Sequence, residues 1–100
     1  MHITKHGTRR LKERLGAGKK TCHVVAKHAL ERGIRHSETT GTLRAFMDYI
    51  YLIKQTANNQ RIYAEKIFVF HNETLITVIP LPRKFVSAVK KIKERRSKKK

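Results

Sequence analysis

Near its midpoint the chain changes the repeat of its apolar residues, and that change restricts the folds open to it. Ile3, Gly7, Leu11 and Leu15 fall at steps of four, the spacing of small and apolar positions along one helix face. Thr4 is placed to cap this helix and Gly16 to close it, so the spacing predicts a helix over 5–15. Cys22, Val25, Ala26, Ala29 and Leu30 repeat the helical pattern before Gly33, which predicts a second helix over 19–32. Residues 34–42 are polar and read as a loop in which Gly41 can take a positive φ. Thr42 can cap a third helix carrying Leu43, Phe46, Met47, Ile50 and Tyr51, with Asn58-Asn59 as its turn signal.

Beyond that turn the sequence becomes rich in β-branched and aromatic residues. Residues 61–64, 66–71 and 74–81 read as strands. Asn72-Glu73 is short enough for a hairpin connection, and Pro80 and Pro82 end the last strand. Helices followed by a meander predict an α+β fold: two to three N-terminal helices packed on a three- to four-stranded antiparallel sheet. A chain of 100 residues is the size of one domain. The division expected is a domain over 1–83 and a basic C-terminal helix or tail over 84–100. Phe85, Val86, Val89 and Ile92 would give such a helix a short apolar face.

The charge is distributed as unevenly as the apolar residues. Lys and Arg number 24 against 7 Asp and Glu, a formal net charge of +17. Residues 1–36 hold ten basic and two acidic side chains, residues 37–82 four of each, and residues 83–100 ten basic and one acidic. A neutral, strand-rich middle is therefore flanked by two basic ends. Such a charge destabilises the compact state by self-repulsion unless a polyanion neutralises it. Phosphate does so independently of base sequence, through counterion release. Nucleic acid is the expected partner, RNA ahead of DNA. The segment Lys90–Lys100 has eight basic residues in eleven. Lys90, Lys91, Arg95 and Arg96 would contact phosphate if it is a binding arm; the alternative is a solvated tail.

Several function classes are excluded or left without support. The single cysteine, Cys22, cannot form an intrachain disulfide. No secretory signal and no membrane-length apolar run is present, so a cytoplasmic protein without membrane contact is expected. There is no Gly-rich phosphate loop and no paired-cysteine zinc motif. His2, His6, His23 and His28 lack ligand spacing. No metal or other cofactor is expected.

What chemistry remains rests on a second stripe of the first helix. His6, Arg10 and Arg14 stand at i, i+4 and i+8, beside the apolar stripe, with Lys5 and Arg9 nearby. An imidazole can transfer protons near neutrality, and a guanidinium can hold a phosphodiester. Metal-free RNA cleavage needs that pairing: the 2′-hydroxyl attacks, one group takes its proton and another protonates the 5′-oxygen. The alternative is an ordinary surface histidine on a solvated basic face. In the last strand, period two places Thr77 with Leu75 and Ile79, where its hydroxyl could reach phosphate. It is equally a residue chosen for β-propensity. Tyr63 could contact nucleic acid. Glu38 could serve as a base or pair with Arg35. Phe68 and Phe70 would stack bases on an open sheet, and are core if a helix covers them.

Two stretches carry a resemblance. One is Ile3-Thr4-Lys5-His6-Gly7-Thr8-Arg9-Arg10-Leu11-Lys12-Glu13-Arg14; the other runs from Ile62-Tyr63 through Lys66-Ile67-Phe68-Val69-Phe70 to Leu75-Ile76-Thr77-Val78-Ile79-Pro80-Leu81-Pro82. Together they resemble small phage and mobile-element proteins similar to the barnase, colicin and RelE superfamily of metal-independent RNases and toxins. The matched pieces cover roughly a third of the chain, by the motif reading. The resemblance implies N-terminal helices packed on one face of an antiparallel sheet, with RNA between them. It implies a toxin-like endoribonuclease acting without a cofactor. His6 would be the acid or base, Arg10 and Arg14 would hold phosphate, and Thr77 would touch it from the sheet. Residues 34–53 match nothing in that pattern. A non-catalytic phage accessory protein is the rival reading. It would bind nucleic acid or block a host nucleic-acid-binding complex. An architectural or ribosome-associated protein is the third.

Overall fold

The computed structural model describes residues 1–16 and 18–98; Lys99 and Lys100 of the expected basic tail lie outside the described residues. The elements in chain order are β1 (His2–Ile3), α1 (Lys5–Leu15), α2 (Lys19–Arg32), β2 (Ile34–Arg35), α3 (Gly41–Ile53), β3 (Asn59–Tyr63), β4 (Lys66–His71), β5 (Thr74–Pro80) and α4 (Val86–Lys98). Short 3-10 turns at His36–Glu38 and Arg83–Phe85 lead toward α3 and α4. The first two helices have the expected bounds. Thr4 caps α1 by accepting from the Gly7 N–H at 2.9 Å, and Gly16 closes it with φ 63°.

The fold is α+β with a five-stranded mixed sheet in the order β1-β5-β4-β3-β2. This corrects the expected three- to four-stranded antiparallel sheet. The meander β3-β4-β5 forms as its sequence predicts, but two extra strands flank it. β1 pairs parallel with β5, His2 opposite Thr74 and Ile3 opposite Leu75. β2 pairs antiparallel with β3. Each added strand has two residues, too few to display a period of two. β2 begins in what the sequence reads as a loop.

Helices cover both faces of the sheet, where the resemblance implied one. On one side α1 and α2 contribute Leu11, Cys22, Ala26 and Ala29 to a core shared with Phe68, Phe70, Leu75 and Val78. On the other, α3 and α4 contribute Leu43, Met47, Ile50, Val89 and Ile92 to a core with Ile62, Ile67 and Val69. The central strand is therefore buried on both sides. Ile67, Phe68, Val69 and Phe70 are all 0% exposed, and the continuous apolar run of β4 matches that position. Phe68 and Phe70 are core. The C-terminal segment is not a tail appended to a finished domain. Phe85, Val89 and Ile92, at i, i+4 and i+7, are all buried in the α3–α4 core.

One irregularity decides which residues share a face. Val69 pairs with Thr77 and Phe70 with Leu75, so Ile76 is an extra residue, a β-bulge. The bulge reverses the alternation after Leu75. Leu75 and Val78 point into the α1–α2 core. Thr77, opposite Val69, and Ile79 lie on the α3–α4 side.

Candidate nucleic-acid interface

The N-terminus of α1 is fixed onto the bulge of β5. Thr4 N–H donates to the Leu75 carbonyl at 3.0 Å, and the Thr4 hydroxyl donates to the Ile76 carbonyl at 3.3 Å. Gly7 lies against the same backbone: a Cβ there would stand 2.8 Å from the Leu75 oxygen. The helix can approach this closely only because position 7 has no side chain. With that face held down, His6, Lys5, Arg9 and Arg14 are exposed and Arg10 is partly so.

The His6-Arg10 step forms a local ladder. Arg10 Nε donates to His6 Nε2 at 3.5 Å, and Arg10 Nη1 pairs with Glu13 Oε2 at 3.1 Å. At 3.5 Å the contact with His6 is weak, and what it fixes is the position of the ring beside the guanidinium. Arg9, Arg14 and Lys5, by contrast, form no ion pair among the described residues. The outer face of α1 is thus a row of cations with one imidazole held beside a guanidinium.

The structure does not bring Thr77 to that row. Thr77 is 4% exposed and faces the α3–α4 layer, while α1 packs on the opposite face. The sheet lies between Thr77 and the His6-Arg10 pair. Simple alternation through β5 placed Thr77 with Leu75; the bulge at Ile76 overturns that. Tyr63 lies on the same side as α1 but is only half-buried against α2. Its ring meets His28 edge-on at 6.4 Å and Phe68 at 6.4 Å.

The C-terminal cations divide into two groups. Lys90, Lys91 and Arg95 are exposed on α4. Arg96 is instead used inside the molecule. It follows Ile92 by four residues, at the end of the buried stripe, and turns toward α2. There Nη1 donates to the Arg32 carbonyl at 2.8 Å and Nη2 to the Gly33 carbonyl at 3.1 Å. Arg96 Nε also donates to Glu38 Oε2 at 2.7 Å. These bonds satisfy carbonyls at the end of α2 and oppose its dipole. Arg96 is therefore a strap between α4 and α2, not a free phosphate contact. Its hydrogen bonds to Glu38 are the main reason that carboxyl titrates below the usual glutamate value.

Sequence reading missed two further features. Arg61 reaches under α2, donating from Nη1 to the Leu30 carbonyl at 2.6 Å and from Nε to Asn59 Oδ1 at 3.0 Å. Its partial burial, with Arg35 close by, lowers its pKa. Lys12 and Lys20 also line one groove, on the flank of α1 away from the ladder. The i, i+3, i+7 spacing of Lys5, Thr8 and Lys12 was the available signal, but nothing local indicates that α2 and β1 complete the groove. Among the described residues no group of three or more His, Cys, Asp or Glu could hold a metal, and no helix is long and apolar enough to cross a membrane. Comparison with protein-family models, curated proteins and solved structures finds no match for this chain.

Proposed function

We propose that this chain is a nucleic-acid-binding domain, with RNA as its ligand, that holds phosphate along the outer face of α1. One observation carries the reading: the basic charge is almost wholly unneutralised within the molecule. Among the described residues only Arg10 and Arg96 form ion pairs with carboxylates, apart from the imidazole of His36 with Asp48. Exposed cations without internal partners release counterions when phosphate replaces them. The resemblance to metal-independent RNases and toxins supports RNA over DNA and rests on the motif residues alone.

Retention of a labelled single-stranded RNA oligomer, titrated with salt, tests the reading. Affinity should fall steeply with salt. Changing Arg9, Arg10 and Arg14 together to Ala should weaken binding at every sequence tested and flatten the salt slope, by about one unit per lost phosphate contact. Unchanged affinity in that variant would overturn the assignment to α1.

A second reading, that the domain is a metal-independent endoribonuclease, is favoured by the contact between His6 and Arg10. An imidazole beside a guanidinium can take a 2′-hydroxyl proton when the phosphodiester is held at Arg10. With Thr77 across the sheet, it makes no phosphate contact beside His6 and Arg10, and the group that protonates the leaving 5′-oxygen is a further residue. Incubation of RNA in EDTA should leave 2′,3′-cyclic phosphate ends with the wild type and none with His6→Ala. RNA retained uncut by both proteins would leave the binding function alone. Failure to retain RNA at all would favour the accessory-protein reading, a basic protein occupying a host complex.

A further inference from the structure

We propose that the groove between β1, α1 and the first turns of α2 receives one unstacked nucleotide of a single-stranded nucleic acid, its base on an apolar floor and its phosphates on a lysine rim. This deepens the RNA-binding reading and rests on it. The groove has a volume of about 950 Å³, within the range of sites that enclose small ligands. Its floor includes Ile3, Leu11, Cys22 and Val24. Leu11 and Cys22 are buried, but Val24 is 48% exposed, an aliphatic surface that water covers until something apolar replaces it.

The rim has one sign of charge. Lys5, Lys12 and Lys20 line the groove together with His2 and His23, and among the described residues no carboxylate does. None of the three lysines forms an ion pair among the described residues. A second groove, at the β2 edge, differs: there Arg32, Arg35 and Arg96 stand with Glu31 and Glu38, so carboxylates offset most of its positive charge. At the first groove the backbone adds to the positive potential. Lys20 belongs to the first turn of α2, a helix of 14 residues whose cap, Gly18, has no side-chain acceptor and whose first turn has no acidic residue. The N–H groups of that turn are left to solvent or to an anion.

A positive rim alone would suit any polyanion. The apolar floor selects among them. A duplex keeps its bases stacked and offers only phosphate and sugar to a surface such as this, so the floor would remain uncovered. A single strand can turn a base out and lay its face on Val24 and the side chains beside it. The floor has no aromatic ring, so the base is accepted for its shape and apolar face with little choice among bases. Phosphates on either side of it then reach the lysines.

The experiment compares binding of three probes at one salt concentration: a single-stranded oligouridylate, an RNA duplex of the same length, and uridine monophosphate. The wild type should bind the single strand better than the duplex, and the mononucleotide should compete weakly for the single strand. Val24→Ser removes aliphatic surface from the floor at an exposed position without changing the charge. It should lower single-strand affinity about fivefold, the scale of losing part of one buried aliphatic side chain, and leave duplex affinity within about twofold. Lys12→Ala, a surface change that keeps the fold, should lower single-strand affinity and relieve competition by the mononucleotide. Equal loss for single strand and duplex in Val24→Ser, or no loss for either, would overturn the groove assignment while leaving RNA binding intact. A wild type that retains neither RNA would overturn the functional reading itself. Single-stranded DNA bound as well as RNA would retain the groove and widen its ligand; DNA bound in preference would overturn the choice of RNA.

Discussion

Gly7 and Gly33 show how single residues set the distance between layers. A Cβ at Gly7 would meet the Leu75 oxygen at 2.8 Å, and one at Gly33 would meet the Ala29 oxygen at 2.5 Å and the Arg61 Cβ at 2.7 Å. Both obstacles are mainly backbone, which cannot move aside cheaply. Ala is the better helix former by about 1 kcal/mol, yet Gly7→Ala should destabilise the protein, by about 1–3 kcal/mol for a forced shift of packed elements. Urea unfolding checks the sign. Glu38 supplies a pH-dependent contribution. Its hydrogen bonds to Arg96 lower its pKa in the folded protein below the ordinary 4.5. The stability gained is therefore complete above about pH 4.5 and is lost as pH falls through the lower folded value. Glu38→Gln should remove that part of the acid dependence and cost about 1 kcal/mol at pH 7, a small figure because the pair is partly exposed. Urea midpoints at pH 7 and pH 3, in both proteins, measure it.

At the scale of elements, the two basic ends do different work in different layers. α1 presents its cations on one side of the sheet and α4 on the other. Arg96 joins them, since it ties the end of α4 to the end of α2. Arg96→Ala should lower the unfolding midpoint, by about 1 kcal/mol in free energy, and change RNA affinity less than Lys90→Ala with Lys91→Ala. Those two lysines are exposed and their loss should leave stability within about 0.5 kcal/mol. Thermal unfolding and salt-matched RNA retention separate the two effects. The elements legible in the sequence were those stabilised by neighbours in the chain. α1 and α2 declare themselves through spacing, and the caps of α1 through Thr4 and Gly16. The meander declares itself through residue type. β1 and β2 do not, because two residues carry no period and their partners lie far along the chain. The bulge at Ile76 is equally silent, although it governs every side chain after it. That is why Lys5, His6, Arg9, Arg10 and Arg14 were placed together on α1 from spacing, whereas Thr77 was assigned to the wrong side. That Lys12 and Lys20 line one groove depends on how α1 and α2 pack, which no window of sequence contains.

For the whole molecule, charge and topology act together. A net charge of +17 on 100 residues is carried on both outer layers, and its mutual repulsion should weaken as salt screens it. Raising salt should therefore stabilise the free protein while it weakens the complex with RNA. Unfolding and retention measured over the same salt series should move in opposite directions. The seating of α1 on β5 has a consequence in time. The Thr4 hydroxyl and the Ile76 carbonyl that receives it are 72 residues apart. α1 is synthesised before β5, and the carbonyls that hold it are made only about 70 residues later. During translation the segment with ten basic residues and two acidic ones leaves the ribosome with no floor to dock on, beside ribosomal RNA, the most abundant polyanion in its surroundings. The surface proposed for RNA is thus made well before the strand that fixes it in place.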